Sequence, residues 1–390
     1  MHRRLSGALL KTAIKWIVSL AIGALFVWLS ARGGRFDELW RAPIFLDGTV
    51  LWSPGTTPAI ANDVVIGDAA RGGGWSFDLL YILPYLAVLS AIHFLRVIRW
   101  APLLRPLAPV DFPTLNRIGA VGFMAVFLFP LRLGEFVRPY MLAKAQPRIR
   151  MSEGLATIVV ERVMDGLMVT LLLFLVLFQM PQDSASFNEI RLGAWAALAV
   201  FVGGIVVLIG LYWRREQAID LIEAIVGRVS RKVAHGLADL LRAFLKGLAV
   251  LPDWRNFAWF CVITAVYWGI NGVGLWLFAK GFGLDVPLVA AYAMMSCVVV
   301  GMMIPNSPGN VGTFWYFLLL PLELYGIGPG IAQATVYGLV VYVMQLAQQS
   351  LFGLWFLASG KVSAHDVIEG THADDVVETM EVEEGVHEAR

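Results

Sequence analysis

Residues 118–139 read IGAVGFMAVFLFPLRLGEFVRP. Thirteen apolar or small residues close on Pro130, whereas crossing a bilayer takes about 20. One acid and two bases follow at once: Arg132, Glu135 and Arg138. A segment too short to cross, broken at Pro and Gly and ending in charge, predicts a re-entrant hairpin. Non-helical backbone at membrane depth is tolerated only where protein or a water-filled cavity covers it. A second segment follows the same pattern. Residues 287–305 are apolar and break at Pro305-Asn306-Ser307-Pro308-Gly309-Asn310-Val311-Gly312.

Composition supplies the membrane. The 390 residues are 58% hydrophobic and 15% charged, with a mean hydropathy of +0.71, against about 25% charged in a typical soluble domain. Long unbroken apolar runs favour helices over a barrel of alternating strands. Six stretches are long enough to span: about 12–30, 79–98, 155–180, 192–213, 256–280 and 330–358. The expected fold is therefore an all-α polytopic membrane protein with six spanning helices and two re-entrant hairpins. Arg3, Arg4, Lys11 and Lys15 precede an apolar run with no small-x-small cleavage site, so the first helix is expected to be retained. Basic clusters at the N-terminus and at 96–105, 144–150 and 214–250 put both termini on the cytoplasmic side. The polar loop 31–76 then faces outward. Residues 214–250 read either as an interfacial amphipathic stretch or as a solvated connecting hairpin. Residues 361–390, with nine acids and two bases, read as a disordered tail.

The two breaks are related by a fixed offset. Pro130 to Gly134 aligns with Pro305 to Gly309, 175 residues later. The preceding and following spans repeat at about the same offset, giving halves of about 79–180 and 254–358. Three spans separate the breaks, and an odd number places them on opposite faces. That is an inverted-topology repeat, a design in which interrupted segments mark the substrate site.

Charges at membrane depth are costly, roughly 2.5–3.5 kcal/mol each on insertion scales, and so are usually paired and functional. Arg132, Glu135 and Arg138 form the first candidate group, with Glu135 and Arg138 spaced to pair along one turn. An arginine fork suits a phosphate. The bland reading makes both arginines snorkelling anchors. Glu161, Arg162 and Asp165 form the second group, unless the helix starts there in the head-group zone. Asn306, Ser307, Gly309 and Asn310 form the third, uncharged group. Cys261 and Cys297 lie in apolar stretches and suggest neither a disulfide framework nor a zinc site. No phosphate loop, zinc-protease motif or nucleophile elbow occurs. The expectation is a protein without catalytic residues, metal or cofactor, and a net charge of +1 points to no nucleic-acid partner.

Leu95-Arg96-x-x-Arg99-Trp100, Pro130-x-Arg132-x-Gly134-Glu135-x-x-Arg138, Glu161-Arg162-x-x-Asp165 and Pro305-x-Ser307-Pro308-Gly309-x-x-Gly312 occur in that order. This set resembles the transmembrane domain of the lysylphosphatidylglycerol synthase family, also described as flippase-like membrane proteins. The resemblance covers most of residues 1–360. It implies a lipid flippase or transporter of the bacterial inner membrane, standing alone without the synthase domain. Its substrate would be an anionic or aminoacylated phospholipid, or a glycolipid, and its expected partner a separate lipid-synthesis enzyme. The residues of the three groups would bind that substrate. The sequence departs from relatives at Thr313-Phe314, where they often carry an acid. The alternatives are a membrane-embedded lipid-modifying transferase and a scaffold of an envelope-synthesis complex.

Overall fold

A computed structural model describes residues 16–28, 44–46, 49–52, 75–179, 185–226, 228, 231–251, 253–303, 307–327 and 332–371. The expectations for residues 1–15, for most of the 31–76 loop, for Asn306 and for 372–390 lie outside them. The protein is α-helical. Among the described residues, four helices are long and apolar enough to cross a membrane: Leu79–Leu104, Ser186–Trp213, Trp254–Gly281 and Gln333–Ala358. Many of their exposed residues are large and apolar, among them Leu192, Trp195, Val200 and Val206 on one helix and Leu351 and Trp355 on another. That is the surface lipid tails solvate. The stretch expected to span at 155–180 belongs to a helix, Met151–Leu177, that carries Glu153, Glu161, Arg162 and Asp165.

The chain divides into two compact units. The first comprises residues 1–92, 168–197 and 268–348, the second residues 93–167, 198–267 and 349–390.

In the first unit, helix α1 (Trp16–Trp28) sets Phe26 against Tyr316 and Phe317, each 5.8 Å between ring centroids. The 31–76 loop carries a small sheet. Strand β1 (Ile44–Leu46) pairs antiparallel with β2 (Thr49–Trp52) and parallel with β3 (Trp75–Phe77). Phe77 closes β3 onto Phe282, 4.5 Å away. The start of α2 (Ile82–Ile98) stacks Tyr85 on Phe278 at 4.2 Å. Buried Tyr337 donates its hydroxyl proton to the Leu275 carbonyl at 3.0 Å, and buried Gln333 donates to the Phe282 carbonyl. Nothing apolar replaces such a bond, so Tyr337→Phe is expected to lower stability by about 1 kcal/mol. An unchanged thermal midpoint in detergent would show the bond to be dispensable.

The second unit takes the end of α2 and a short helix α3 (Trp100–Leu104) and then folds a helical hairpin. Asp111 caps α4 (Phe112–Leu128) by accepting from Thr114 N at 3.1 Å, and Pro113 pre-sets the first turn. A tight 3-10 segment at Pro130–Phe136 reverses the chain into α5 (Val137–Ala145). Gly134 makes the reversal feasible, because any Cβ there would overlap the α4 backbone at Ala125 and Val126. Next come α6 (Met151–Leu177), α7 (Ala185–Trp213) and the hairpin of α8 (Arg215–Val226) and α9 (Arg231–Gly247). Lys246 ties α9 to buried Glu153 of α6 at 2.7 Å.

Helix α10 (Trp254–Gly281) starts at Asp253, whose carboxyl accepts from both amides of Asn256 and is held below the usual range by them. Helix α11 (Leu288–Met302) leads to the second break, and α12 (Thr313–Leu319) and α13 (Ala332–Ala358) follow. Helices α4 and α11 start 176 residues apart, at 112 and 288, and α5 and α12 also 176 apart, at 137 and 313.

The stretch expected to be a disordered tail begins instead with a short helix, α14 (Ala364–Glu369). It docks on α5: Lys144 reaches Asp366 at 2.6 Å, the Tyr140 hydroxyl donates to Glu369 at 2.5 Å, and Val367 is buried.

Candidate functional site

Glu161 lies ten residues inside α6, about 15 Å from its start. It is fully buried, as is Asp165 one turn on. The helix therefore does not start at Glu161, and both carboxylates are enclosed by protein. Spacing of four puts both carboxylates on one face, and that face meets Arg99 at the junction of α2 and α3. Arg99 donates to both oxygens of Asp165, through Nη1 to Oδ1 and through Nη2 to Oδ2 at 2.8 Å, and to Glu161 at 3.0 Å. Arg138 of α5 makes a second fork, donating to the two Glu161 oxygens at 3.1 and 3.0 Å. Arg162 donates to Glu161 and lies 3.1 Å from Asp165, as its three-residue spacing predicts. Glu161 therefore accepts from three guanidinium groups at once.

Sterics decide how Arg138 gets there. Gly122 of α4 leaves a groove for the Arg138 stem, since a Cβ at 122 would overlap Cγ and lie 3.0 Å from Cδ. The Trp100 ring covers the guanidinium at 4.3 Å, and Phe123 flanks it at 5.0 Å. Trp100 is itself fixed by donating from Nε1 to Thr157 at 3.0 Å. Arg99 faces Tyr267 at 4.7 Å. These contacts place the flat cations against ring faces, where they are attracted.

At the hairpin tip Arg132 adopts a left-handed backbone, φ 59°. A non-glycine residue held there costs on the order of 1–3 kcal/mol and marks a position over-determined by its surroundings. Its side chain donates to Glu135 at 2.6 Å, and Arg162 lies 3.9 Å from the same carboxylate. The expected Glu135–Arg138 pair is thus corrected. The tight 3-10 turn ends before Val137, so Glu135 stays with Arg132 while Arg138 turns inward to Glu161.

Arg132, Glu135, Arg138, Glu161, Arg162 and Asp165 are all brought into one cluster of the second unit. Two members were missed in the sequence. Arg96 and Arg99 read as cytoplasmic anchors. The signal available was their three-residue spacing on an apolar helix, followed directly by Trp100. Arg96 donates to Gln349 at 3.2 Å and lies 3.7 Å over the Phe123 ring. The Nε atoms of Arg96, Arg99, Arg138 and Arg162 are buried without an acceptor.

The third predicted group belongs to the first unit. Ser307 donates to the Val311 carbonyl at 2.8 Å, and Gly309 and Asn310 adopt φ 70° and 56°. Among the described residues, His365, Asp366 and Glu369 bring potential metal-ligand atoms within 4.8 Å of one another. Lys144 and Tyr140 already engage the two carboxylates.

The model of the family described as the lysylphosphatidylglycerol synthase TM region matches residues 69–348. Glycosyltransferase AglD of Haloferax volcanii is 25% identical over 78% of the chain, and the match spans 52% of AglD, about half its length. A UPF0104 membrane protein of Methanothermobacter thermautotrophicus is 23% identical over 81% of the chain and 94% of its own length. No solved structure matches the chain. The AglD match corrects one expectation. The absence of familiar motifs argued against an enzyme, but a relative over most of the chain bears a glycosyltransferase name, so missing soluble-enzyme motifs do not exclude enzymatic work.

Proposed function

The chain belongs to the lysylphosphatidylglycerol synthase TM-region family, and from that premise we propose that it carries a membrane lipid across the bilayer, handling the head group at the arginine–carboxylate cluster. The observation that supports this is the burial of Arg99, Arg138, Glu161 and Asp165 together in an apolar, membrane-crossing protein. Buried ion pairs are poor sources of stability, because desolvation cancels much of their attraction. In membrane helices such groups mark pathways and binding sites.

In this reading the α4–α5 and α11–α12 hairpins are re-entrant, and six helices cross. The matched 176-residue spacing reflects two inverted halves. Both termini and the 214–250 stretch lie on the cytoplasmic side, and the 31–76 loop lies outside. Asn306, Ser307, Gly309 and Asn310 also take part in binding the substrate, and a lipid-synthesis enzyme supplies it. The test is reconstitution in liposomes with leaflet-labelled phospholipids and glycolipids. Arg138→Ala is expected to reduce translocation by about 100-fold or more while the protein still purifies as a monodisperse species. Wild-type transport by that variant would reduce Arg138 to a topology anchor.

The AglD match favours a second reading, a membrane-embedded transferase acting on a lipid-linked substrate. Glu161 or Asp165 would then act as base, which requires release from Arg99. Product formation in detergent, where no leaflets exist, separates the two.

A further inference from the structure

The cluster holds more positive than negative charge. Arg96, Arg99, Arg132, Arg138 and Arg162 bring five positive charges, and Glu135, Glu161 and Asp165 bring three negative ones. The neighbouring acids are spent elsewhere: Glu153 on Lys246, Asp366 on Lys144, and Glu369 on Tyr140. His93, one turn before Arg96, bonds to the neutral Asn116 at 3.0 Å. Two positive charges are left over among the described residues. Arg96 shows where one resides, since its partners are an uncharged amide and a phenyl ring, with no described carboxylate within 4 Å.

The donor pattern has the same shape. The carboxylates occupy the Nη groups of Arg99 and Arg138, while four Nε donors stay buried without an acceptor. A buried charge without a counter-charge is far more costly than a buried polar group. A buried donor left unpaired adds its own desolvation cost. One ligand removes both costs: a group with two negative charges and several acceptor oxygens.

Resting on the reading that this cluster is the head-group site, we infer that it selects a phosphomonoester head group. A phosphomonoester carries close to two charges and three free oxygens. A phosphodiester cancels one of the two surplus charges. A head group that also carries an amine cancels none, so aminoacylated lipids rank last.

The experiment uses the full chain in detergent micelles and three dioctanoyl probes: phosphatidic acid, phosphatidylmethanol and phosphatidylglycerol. Phosphatidylmethanol differs from phosphatidic acid by one methyl group and one charge, so the pair isolates charge at a single pH of 8. Binding is read by calorimetry and by the fluorescence of the tryptophans, Trp100 among them. Phosphatidic acid is expected to bind about ten-fold more tightly than phosphatidylmethanol, as charge-assisted bonds outweigh neutral ones. In Arg96→Gln that ratio is expected to fall to about 2–3. Equal binding of phosphatidic acid and phosphatidylmethanol by the unmodified protein overturns the charge selection and leaves the head-group site standing. Binding of none of the probes, or binding indifferent to Arg138→Gln, overturns the site reading and the inference with it.

Discussion

Glu161→Gln is expected to cost about 3–5 kcal/mol of stability, the penalty for removing one partner from a buried ion pair. The side chain is fully buried and accepts from Arg99, Arg138 and Arg162. Glutamine keeps the volume, so no cavity contributes. It removes a charge from a cluster already short of negative charge, and it turns an amide donor toward guanidinium donors. The thermal midpoint in detergent is the measurement, with yield of monodisperse protein beside it. Arg162→Gln provides the scale. Its side chain is 28% exposed, so its loss is expected to be the smaller one. Equal midpoints for Glu161→Gln and the wild type would mean the cluster is already uncharged or wet. Because the partners share one network, double variants of Glu161 with Arg138 are expected to be non-additive.

Gly134→Val is expected to be nearly as damaging, about 3 kcal/mol or more, by a different mechanism. An added Cβ would overlap backbone atoms of Ala125 and Val126. Backbone cannot rotate aside as a side chain can, so the 3-10 turn must lift off α4. Arg132 and Glu135 move with it. Under the proposed function, lost stability should therefore coincide with lost head-group binding. Gly210→Ala is the control, since nothing lies within 4 Å of that position. Alanine is the better helix former there, and a small gain is expected. Equal tolerance of both substitutions would show that the hairpin does not need its close contact.

Much of the fold was legible because it depends on short-range signals. Apolar runs placed α7, α10 and α13, and Pro and Gly placed the breaks. The members of the charged cluster were legible for the same reason: Arg132, Glu135 and Arg138 stand next to an apolar run, and Glu161 to Asp165 interrupt one. Partner choice was not legible. Glu135 and Arg138 have spacing that suits a helical turn, but the backbone between them is a 3-10 turn, and a positive φ at Arg132 leaves no trace in composition. Arg99 was hidden by its position at the end of an apolar helix, where snorkelling anchors also occur. Only tertiary contact, 62 and 66 residues along the chain, distinguishes an anchor from a buried fork.

The docking of α14 on α5 has a practical use. Lys144 and Asp366 touch, so the end of the hairpin and the start of the C-terminal segment lie on one side of the membrane. Sidedness of an otherwise inaccessible hairpin can then be read from its neighbour. Protease protection or impermeant labelling of a tag placed after residue 371 in sealed vesicles reports where α5 ends. The Lys144→Cys, Asp366→Cys double variant provides a check from within, because a cross-link forms only if the tag has not pulled the two apart.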